Sequence, residues 1–155
     1  MQTITAIILT FNEEQHIERC IRSLDGVVER VCVIDSFSTD RTVEIAEGLG
    51  AEVFQNSWKN YATQFQFGLD TCDIISDWTM RIDADEYLED GLRAALKIWL
   101  SAPKEAVNAL YLRRKMVFLG RPITRGFFYP AMMLRVWRTG TGRIEQRWMD
   151  EHVIV

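Results

Sequence analysis

A chain of 155 residues, 48% hydrophobic and 26% charged, holds enough apolar material for one domain with a substantial core and is cramped for two. No stretch approaches the ~20 uninterrupted apolar residues of a membrane span, the first residues lack the basic segment of a signal peptide, and three scattered cysteines (Cys20, Cys32, Cys72) suit reduced thiols better than a disulfide frame or zinc site, so a cytoplasmic protein is expected. The net charge of −4 is uneven: residues 1–103 carry 8 Lys and Arg against 18 Asp and Glu (−10), and residues 104–155 carry 10 against 4 (+6), a basic part open either to an anionic ligand or membrane surface or to pairing with the acidic part.

Ile4 to Thr10 is a β-branched run, too short for a helix and apolar on both faces, as in a central parallel strand. Asn12, with Gln15 at the capping-box position, predicts a helix with Ile17, Cys20, Ile21 and Leu24 on one face and Gly26 at its end. A second buried strand at 31–34, a polar loop at 36–40 and a helix at 42–49 follow, then a short strand at 51–55 and a helix at 60–71. Residues 78–82 read as the fourth strand and 88–100 as an apolar helix stopped by Pro103. This alternation implies a three-layer α/β sandwich with a mainly parallel central sheet. Beyond Pro103, residues 109–119 and 131–138 look like long strands, giving a more antiparallel C-terminal part. The whole is expected to be one domain, with a ligand-binding part at 1–103 and a second part at 104–155. The β-branched run at the end, Val153-Ile154-Val155, carries no turn signal, so a truncated chain is expected.

Three polar or acidic clusters fall just after predicted strands one, two and four: residues 10–14, 35–40 and Asp83-Ala84-Asp85-Glu86. In a parallel sheet these lie at one carboxyl edge, where ligands bind, and hard oxygens gathered there suit a divalent cation carrying phosphates. Each cluster also has a structural reading, since Asn12 and Ser38 are good helix caps and Glu13 and Glu14 favour a helix's first turn. Capping alone does not require carboxylates to recur after three strands.

The segments 7–14, 35–42 and 82–86, in this order and spacing, resemble family 2 glycosyltransferases, inverting enzymes of the GT-A fold. Residues 59–65, 81–86 and Met149-Asp150-Glu151-His152 are similar to the bacterial lipopolysaccharide-core subgroup that adds glucose to heptose. The resemblance implies a UDP-sugar donor and a saccharide acceptor, lipid-linked core oligosaccharide being one form, with peripheral contact at the cytoplasmic membrane face and no nucleic acid. It implies that Thr10, Phe11 and Glu13 line the nucleotide, that Asp35 meets a uracil edge, that Asp83 meets the ribose, and that Asp85 binds Mn²⁺ or Mg²⁺. Where many members carry an Arg this chain has Phe65, so Lys59 or Gln64 is expected to supply a base or phosphate contact.

Inversion needs a base on the acceptor side. Asp150 or Glu151 matches the family's catalytic acid, with Asp150 preferred, and His152 either adds a metal ligand or orients that base. Arg121, Arg125 and Arg135 are expected near acceptor or diphosphate, with Trp137 and Trp148 as sugar-stacking faces. Two other readings stand beside transfer. One is a nucleotide-sugar-binding fragment without activity. The other is an aspartyl-phosphate-type phosphatase, against which Tyr87 occupies the place of the usual Thr or Val. An EF-hand loop is excluded by Tyr87 and by Leu88 at the glycine position.

Overall fold

The computed structural model describes residues 1–103, 105–126, 129–145 and 153–155. In chain order the elements are β1 (Ile4–Thr10), α1 (Ile17–Ser23), β2 (Arg30–Asp35), α2 (Thr42–Gly48), β3 (Glu52–Gln55), α3 (Tyr61–Thr71), β4 (Trp78–Arg81), α4 (Asp90–Ser101), β5 (Ala109–Arg114), β6 (Val117–Phe118), β7 (Arg121–Pro122), β8 (Ala131–Arg138), β9 (Arg143–Ile144) and β10 (Val153–Ile154). Six strands form one sheet in the order β3-β2-β1-β4-β8-β5. Its first four are mutually parallel, while β8 runs antiparallel to both β4 and β5.

Period-two alternation divides the core. Ile4, Ala6 and Ile8 of β1 face a cluster completed by Ile17, Cys20 and Ile21 of α1, Ala46 of α2 and Leu96 and Leu100 of α4. Ile7 faces the opposite cluster, with Ala62 and Phe65 of α3, Trp137 of β8, and Ile144 and Val153 of the small β9–β10 ladder. The sheet is thus sandwiched between layers, and its central strand is buried on both sides. α3 lies so close to the sheet that a Cβ at Gly68 would stand 2.9 Å from Ile34 Cγ1 and 3.1 Å from Ile7 Cγ2.

The connections matter most. From β1 the chain steps outward through β2 to β3, then α3 carries it back across to β4 on the other side of β1. The direction of winding reverses between β1 and β4, and at such a reversal the two following loops part and leave a crevice at the carboxyl edge.

Two expectations are corrected. The first helix begins at Ile17 rather than beside Asn12, because Asn12 adopts φ +54° and gives its side chain to the neighbouring loop instead of to a cap. The strand expected over 109–119 ends at Arg114. A separate two-stranded hairpin, β6–β7, follows, turned at Leu119 and Gly120 with φ +48° and +75°. α3 begins within a residue of the expected start, and Asn60 caps it by accepting from the Thr63 amide at 2.8 Å, whereas α2 and α4 begin without a side-chain cap bond and Ser38 gives its hydroxyl to Asp35 rather than to a cap.

All three cysteines are buried, and the Cys20 thiol is pushed up to about 12, first by burial and then by Glu86, Asp83 and Asp85. Two outcomes follow for the folded chain. A thiol reagent should label none of the three cysteines until denaturant is added. Gly68→Val should lower the urea unfolding midpoint by the equivalent of about 1–3 kcal/mol, the usual cost of forcing bulk into a closed helix–sheet contact.

Candidate active site

The loops after β1 and β2 are laced together. The Asn12 amide donates to Ser38 Oγ (2.8 Å), the Thr39 amide to Asn12 Oδ1 (2.9 Å), the Glu13 amide to Thr42 Oγ1 (2.7 Å) and the Arg41 amide to Glu14 Oε2 (3.1 Å). Beneath them Asp35 is fully buried. Its carboxylate accepts from Thr10 Oγ1 (2.9 Å), Ser38 Oγ (2.5 Å), the Ser38 amide (2.9 Å) and Gln55 Nε2 (3.3 Å). Asp35 and Thr10 therefore form the floor that holds both loops, and direct contact with a base requires one of these bonds to be exchanged. Gln64 is equally enclosed, donating to Ser36 Oγ and the Asn56 carbonyl and accepting from Asn56 Nδ2.

Phe11 and Lys59 are exposed at this edge, while Glu13 is half-buried with Oε2 2.8 Å from His16 Nδ1. Phe37 is a second exposed aromatic here, held at φ +60°, a backbone conformation rare for a bulky side chain. Nothing in its local pattern marks it.

The acidic run after β4 splits into two kinds of carboxylate. Asp83 is tied inward: Arg135 Nη2 lies 3.2 Å from its Oδ2, the Tyr61 hydroxyl donates to Oδ1 at 3.2 Å, and Arg81 Nε lies 3.9 Å away. The same Arg135 nitrogen is 2.6 Å from Glu86 Oε1, and Arg114 approaches that oxygen at 3.8 Å. Asp85, two residues on from Asp83, is exposed, and among the described residues its carboxylate makes no hydrogen bond or ion pair; only its carbonyl is used, by Arg19.

Charges follow the geometry. Burial works to raise Asp83, but the Arg135 and Arg81 guanidiniums outweigh it and hold its carboxyl below the usual range. Glu86 goes the other way, pushed up by burial and by Asp83 despite Arg135 and Arg114. Burial also raises the Tyr61 hydroxyl, with Asp83 adding to it, so Tyr61 stays a neutral donor. Three guanidiniums thus surround two carboxylates, a local surplus of positive charge beside the free Asp85.

Set beside the sequence-based expectations, the parallel pairing of β1 and β4 puts Phe11 just past the end of one strand and Asp83 and Asp85 just past the end of its neighbour. Arg135 does join the cluster, but buried to 5% exposure as a partner of Asp83 and Glu86. Trp137 does not offer a sugar-stacking face: it is fully buried against Phe65, ring centroids 6.0 Å apart. Arg121 and Arg125 are exposed, with no hydrogen bond or ion pair to the Asp83 cluster among the described residues. Asp150, Glu151, His152 and Trp148 lie outside the described residues. Arg81 and Tyr61 were missed by motif reading. The Arg81 guanidinium stacks 4.2 Å from the Tyr61 centroid and 5.9 Å from that of Phe65, so a cation stands over the position where an Arg was expected.

The family profile described as Glycosyl transferase family 2 matches residues 5–152. This chain belongs to glycosyltransferase family 2. Among curated members it is 33% identical, over 92% of its own length and 53% of the other's, to the lipopolysaccharide core biosynthesis glycosyltransferase LpsC of Rhizobium meliloti. It is 35% identical, over 82% of its length and 43% of the other's, to an uncharacterized glycosyltransferase of Rickettsia typhi. Over these and further glycosyltransferases of Rickettsia the chain spans about a third to about half of the relative, 32% to 53% of its length. Among solved structures it resembles glucosyl-3-phosphoglycerate synthase of Mycobacterium tuberculosis in complex with UDP, with TM-score 0.55 and 26% identity over 70% of this chain and 43% of that one. The same enzyme, at the same TM-score, has been solved with UDP and Mn²⁺ or Mg²⁺. The fold is accordingly GT-A.

Removing Arg135 takes away the shortest cation contact of both Asp83 and Glu86 and leaves them only Arg81 at 3.9 Å and Arg114 at 3.8 Å. Arg135→Met should lower stability by roughly 3 kcal/mol, with Arg135→Lys intermediate, read from urea unfolding. The pH dependence has a definite sign. A carboxyl raised on folding contributes fully below its unfolded pKa, about 4.3 for Glu, and loses that contribution as pH rises through the raised value. Whatever constant offset the lost charge brings, Glu86→Gln should therefore gain stability relative to the parent as pH rises from about 4 to about 7. Asp83 has the opposite sign: its contribution is present above about 3.9 and lost as pH falls through its lowered value.

Proposed function

We propose that this chain carries the donor site of a metal-dependent inverting glycosyltransferase that takes a sugar, glucose being the first choice, from a UDP-sugar to a saccharide acceptor of the lipopolysaccharide core or another cell-envelope glycan. One observation carries it: two carboxylates two residues apart at the topological switch point, one locked by a buried guanidinium and one free. That split suits a division of labour. Asp83, its orientation set by Arg135 and Tyr61, presents a fixed acceptor for ribose hydroxyls, while Asp85 is free to meet a cation.

The donor set fits Mn²⁺ or Mg²⁺, which are held by one or two carboxylates together with substrate phosphates rather than by an all-protein cage. Among the described residues no cluster of three or more His, Cys, Asp or Glu stands ready as such a cage. His152 is the further ligand proposed from sequence. When bound, the ion supplies Lewis-acid stabilisation of the leaving diphosphate. The chain's own part is to position and neutralise. Arg81 and Arg114 bring cationic charge to the crevice, Phe11 and Lys59 stand exposed for base and phosphate, and Thr10, Glu13, Asp35 and Gln64 brace the loops that carry them. Asp150, with Glu151 as the other candidate, is proposed to take the proton from the incoming hydroxyl. The acceptor's lipid-linked form, and contact with the cytoplasmic membrane face, belong to this same proposal and draw on the likeness to LpsC.

The span of about half of LpsC favours a second reading, in which this chain binds the donor without completing transfer. Calorimetric titration tests the donor site that both readings share, and an assay of transfer to core saccharide separates them. UDP should bind more tightly with Mn²⁺ than without, and Asp85→Ala should weaken the metal-dependent binding at least about tenfold, about 1.4 kcal/mol. Absence of a metal effect, or its persistence in Asp85→Ala, overturns the donor site. Metal-dependent UDP binding without transfer to any core saccharide supports the second reading.

A further inference from the structure

We infer that the β6–β7 hairpin is a membrane-docking element that seats on an anionic bilayer. The inference deepens the membrane contact named in the proposed function by giving it a place in the fold; its observations are the hairpin's own shape, exposure and charge, so vesicle binding can fail while metal-dependent UDP binding holds, and the reverse.

The hairpin pairs only with itself, Val117 against Pro122 and Phe118 against Arg121, and its base is closed by the Ile123 amide donating to the Met116 carbonyl at 2.8 Å. It is no part of the six-stranded sheet. Its tip is three consecutive apolar residues standing in solvent: Val117, Phe118 at 68% and Leu119 at 87% exposure. Leu119 is the informative one. It occupies the first left-handed position of a two-residue turn, φ +48°, a place that Asn, Asp or Gly fills without strain. A leucine there gains no burial in this fold and is conformationally disfavoured. Such a residue makes sense when its side chain is buried against something outside the chain.

The charge says what that is. From residue 106 to residue 144 there is no Asp or Glu, against eight Lys and Arg. Lys115 turns back to Glu89 at 2.7 Å and Arg114 toward Glu86. Arg121, within the hairpin, and Arg125, just beyond it, are exposed and form no ion pair among the described residues. Arg113 and Met132, paired across β5 and β8, extend the same mixture of cationic and apolar side chains on exposed positions. An exposed apolar tip beside Arg121 and Arg125, two cations without an ion pair among the described residues, and with no acidic residue for 39 positions of sequence, complements an interface that is apolar in depth and anionic at its surface.

Co-sedimentation of the whole chain with vesicles of phosphatidylcholine, with and without phosphatidylglycerol, tests this. The parent chain should bind phosphatidylglycerol-containing vesicles at least about tenfold more tightly than phosphatidylcholine alone, and raised salt should weaken that binding. Phe118→Thr with Leu119→Asn should lower it at least about tenfold. Because Thr suits a strand and Asn suits the left-handed turn, the far-UV circular dichroism and thermal midpoint of this variant should be no worse than the parent's, so lost binding is not lost folding. Arg121→Gln with Arg125→Gln should remove the preference for the anionic lipid. No vesicle binding, equal binding by the tip variant, or equal affinity for the two vesicle types overturns the inference. So does a concentration-dependent dimer in sedimentation velocity that the tip variant abolishes, which would give the surface to a second copy of the chain.

Discussion

A guanidinium that is 5% exposed cannot stand alone, and most of the site follows from how Arg135 is neutralised. It sits on β8, antiparallel to β4, and reaches both Asp83 and Glu86 beyond the end of β4 with one nitrogen. That bridge ties the antiparallel part of the sheet to the loop at the switch point. It also decides which carboxylates of the acidic run are engaged. Asp83 and Glu86 are drawn in, and Asp85, between them in sequence, is left outside. A single buried charge thus converts a run of acids into one oriented carboxylate and one available carboxylate.

The opposite wall of the crevice is built without an ion pair. Asp35 is buried with no cation beside it among its bonded partners; two hydroxyls, an amide and a side-chain amide surround it instead. Together with the cross-loop bonds of Asn12, Glu13 and Glu14, this ties the first two loops into one hydrogen-bonded unit. Such cross-bracing lowers the ordering cost of binding a ligand there. The exposed Phe11 and Phe37 are then mounted on a shared base rather than on two independent loops.

Much of the fold was legible in the pattern of residues. Apolar runs too short for helices marked β1, β2 and β4, and 3.6-residue spacing marked α1 to α4, because burial on both faces or on one stripe leaves those periods in any sequence. The start of α1 was not legible. Asn is at home both as a helix cap and in the left-handed region, and only the presence of the β2 loop across from Asn12 selects the second role. The strand over 109–119 looked continuous because its residues remain β-formers, but Leu119-Gly120 turns and pairs the segment with itself. In the site, Asp83 and Asp85 were readable as a pair but not as different from each other. The sequence does carry a signal for Arg135: an Arg flanked by Leu134 and Val136 in a strand that must be buried demands a carboxylate partner. Gln64 and Trp137 misled for the converse reason, since polar amides and indoles serve ligands and cores alike.

The sequence by itself determined the alternating α/β order, the convergence of three polar clusters on the carboxyl edge, the family to which those clusters are similar, and the change from an acidic to a basic part. These depend on residue type and spacing along the chain, which are local quantities. Only the tertiary structure decided which of those side chains face the crevice, which are spent inside the protein, and which stand unpaired on the β6–β7 hairpin. Those outcomes depend on partners far along the chain, such as Thr10 for Asp35, 25 residues away, and Arg135 for Asp83, 52 residues away. A side chain's hydrogen bonds and charge partners are set by what the fold brings beside it, and no spacing along the chain encodes that.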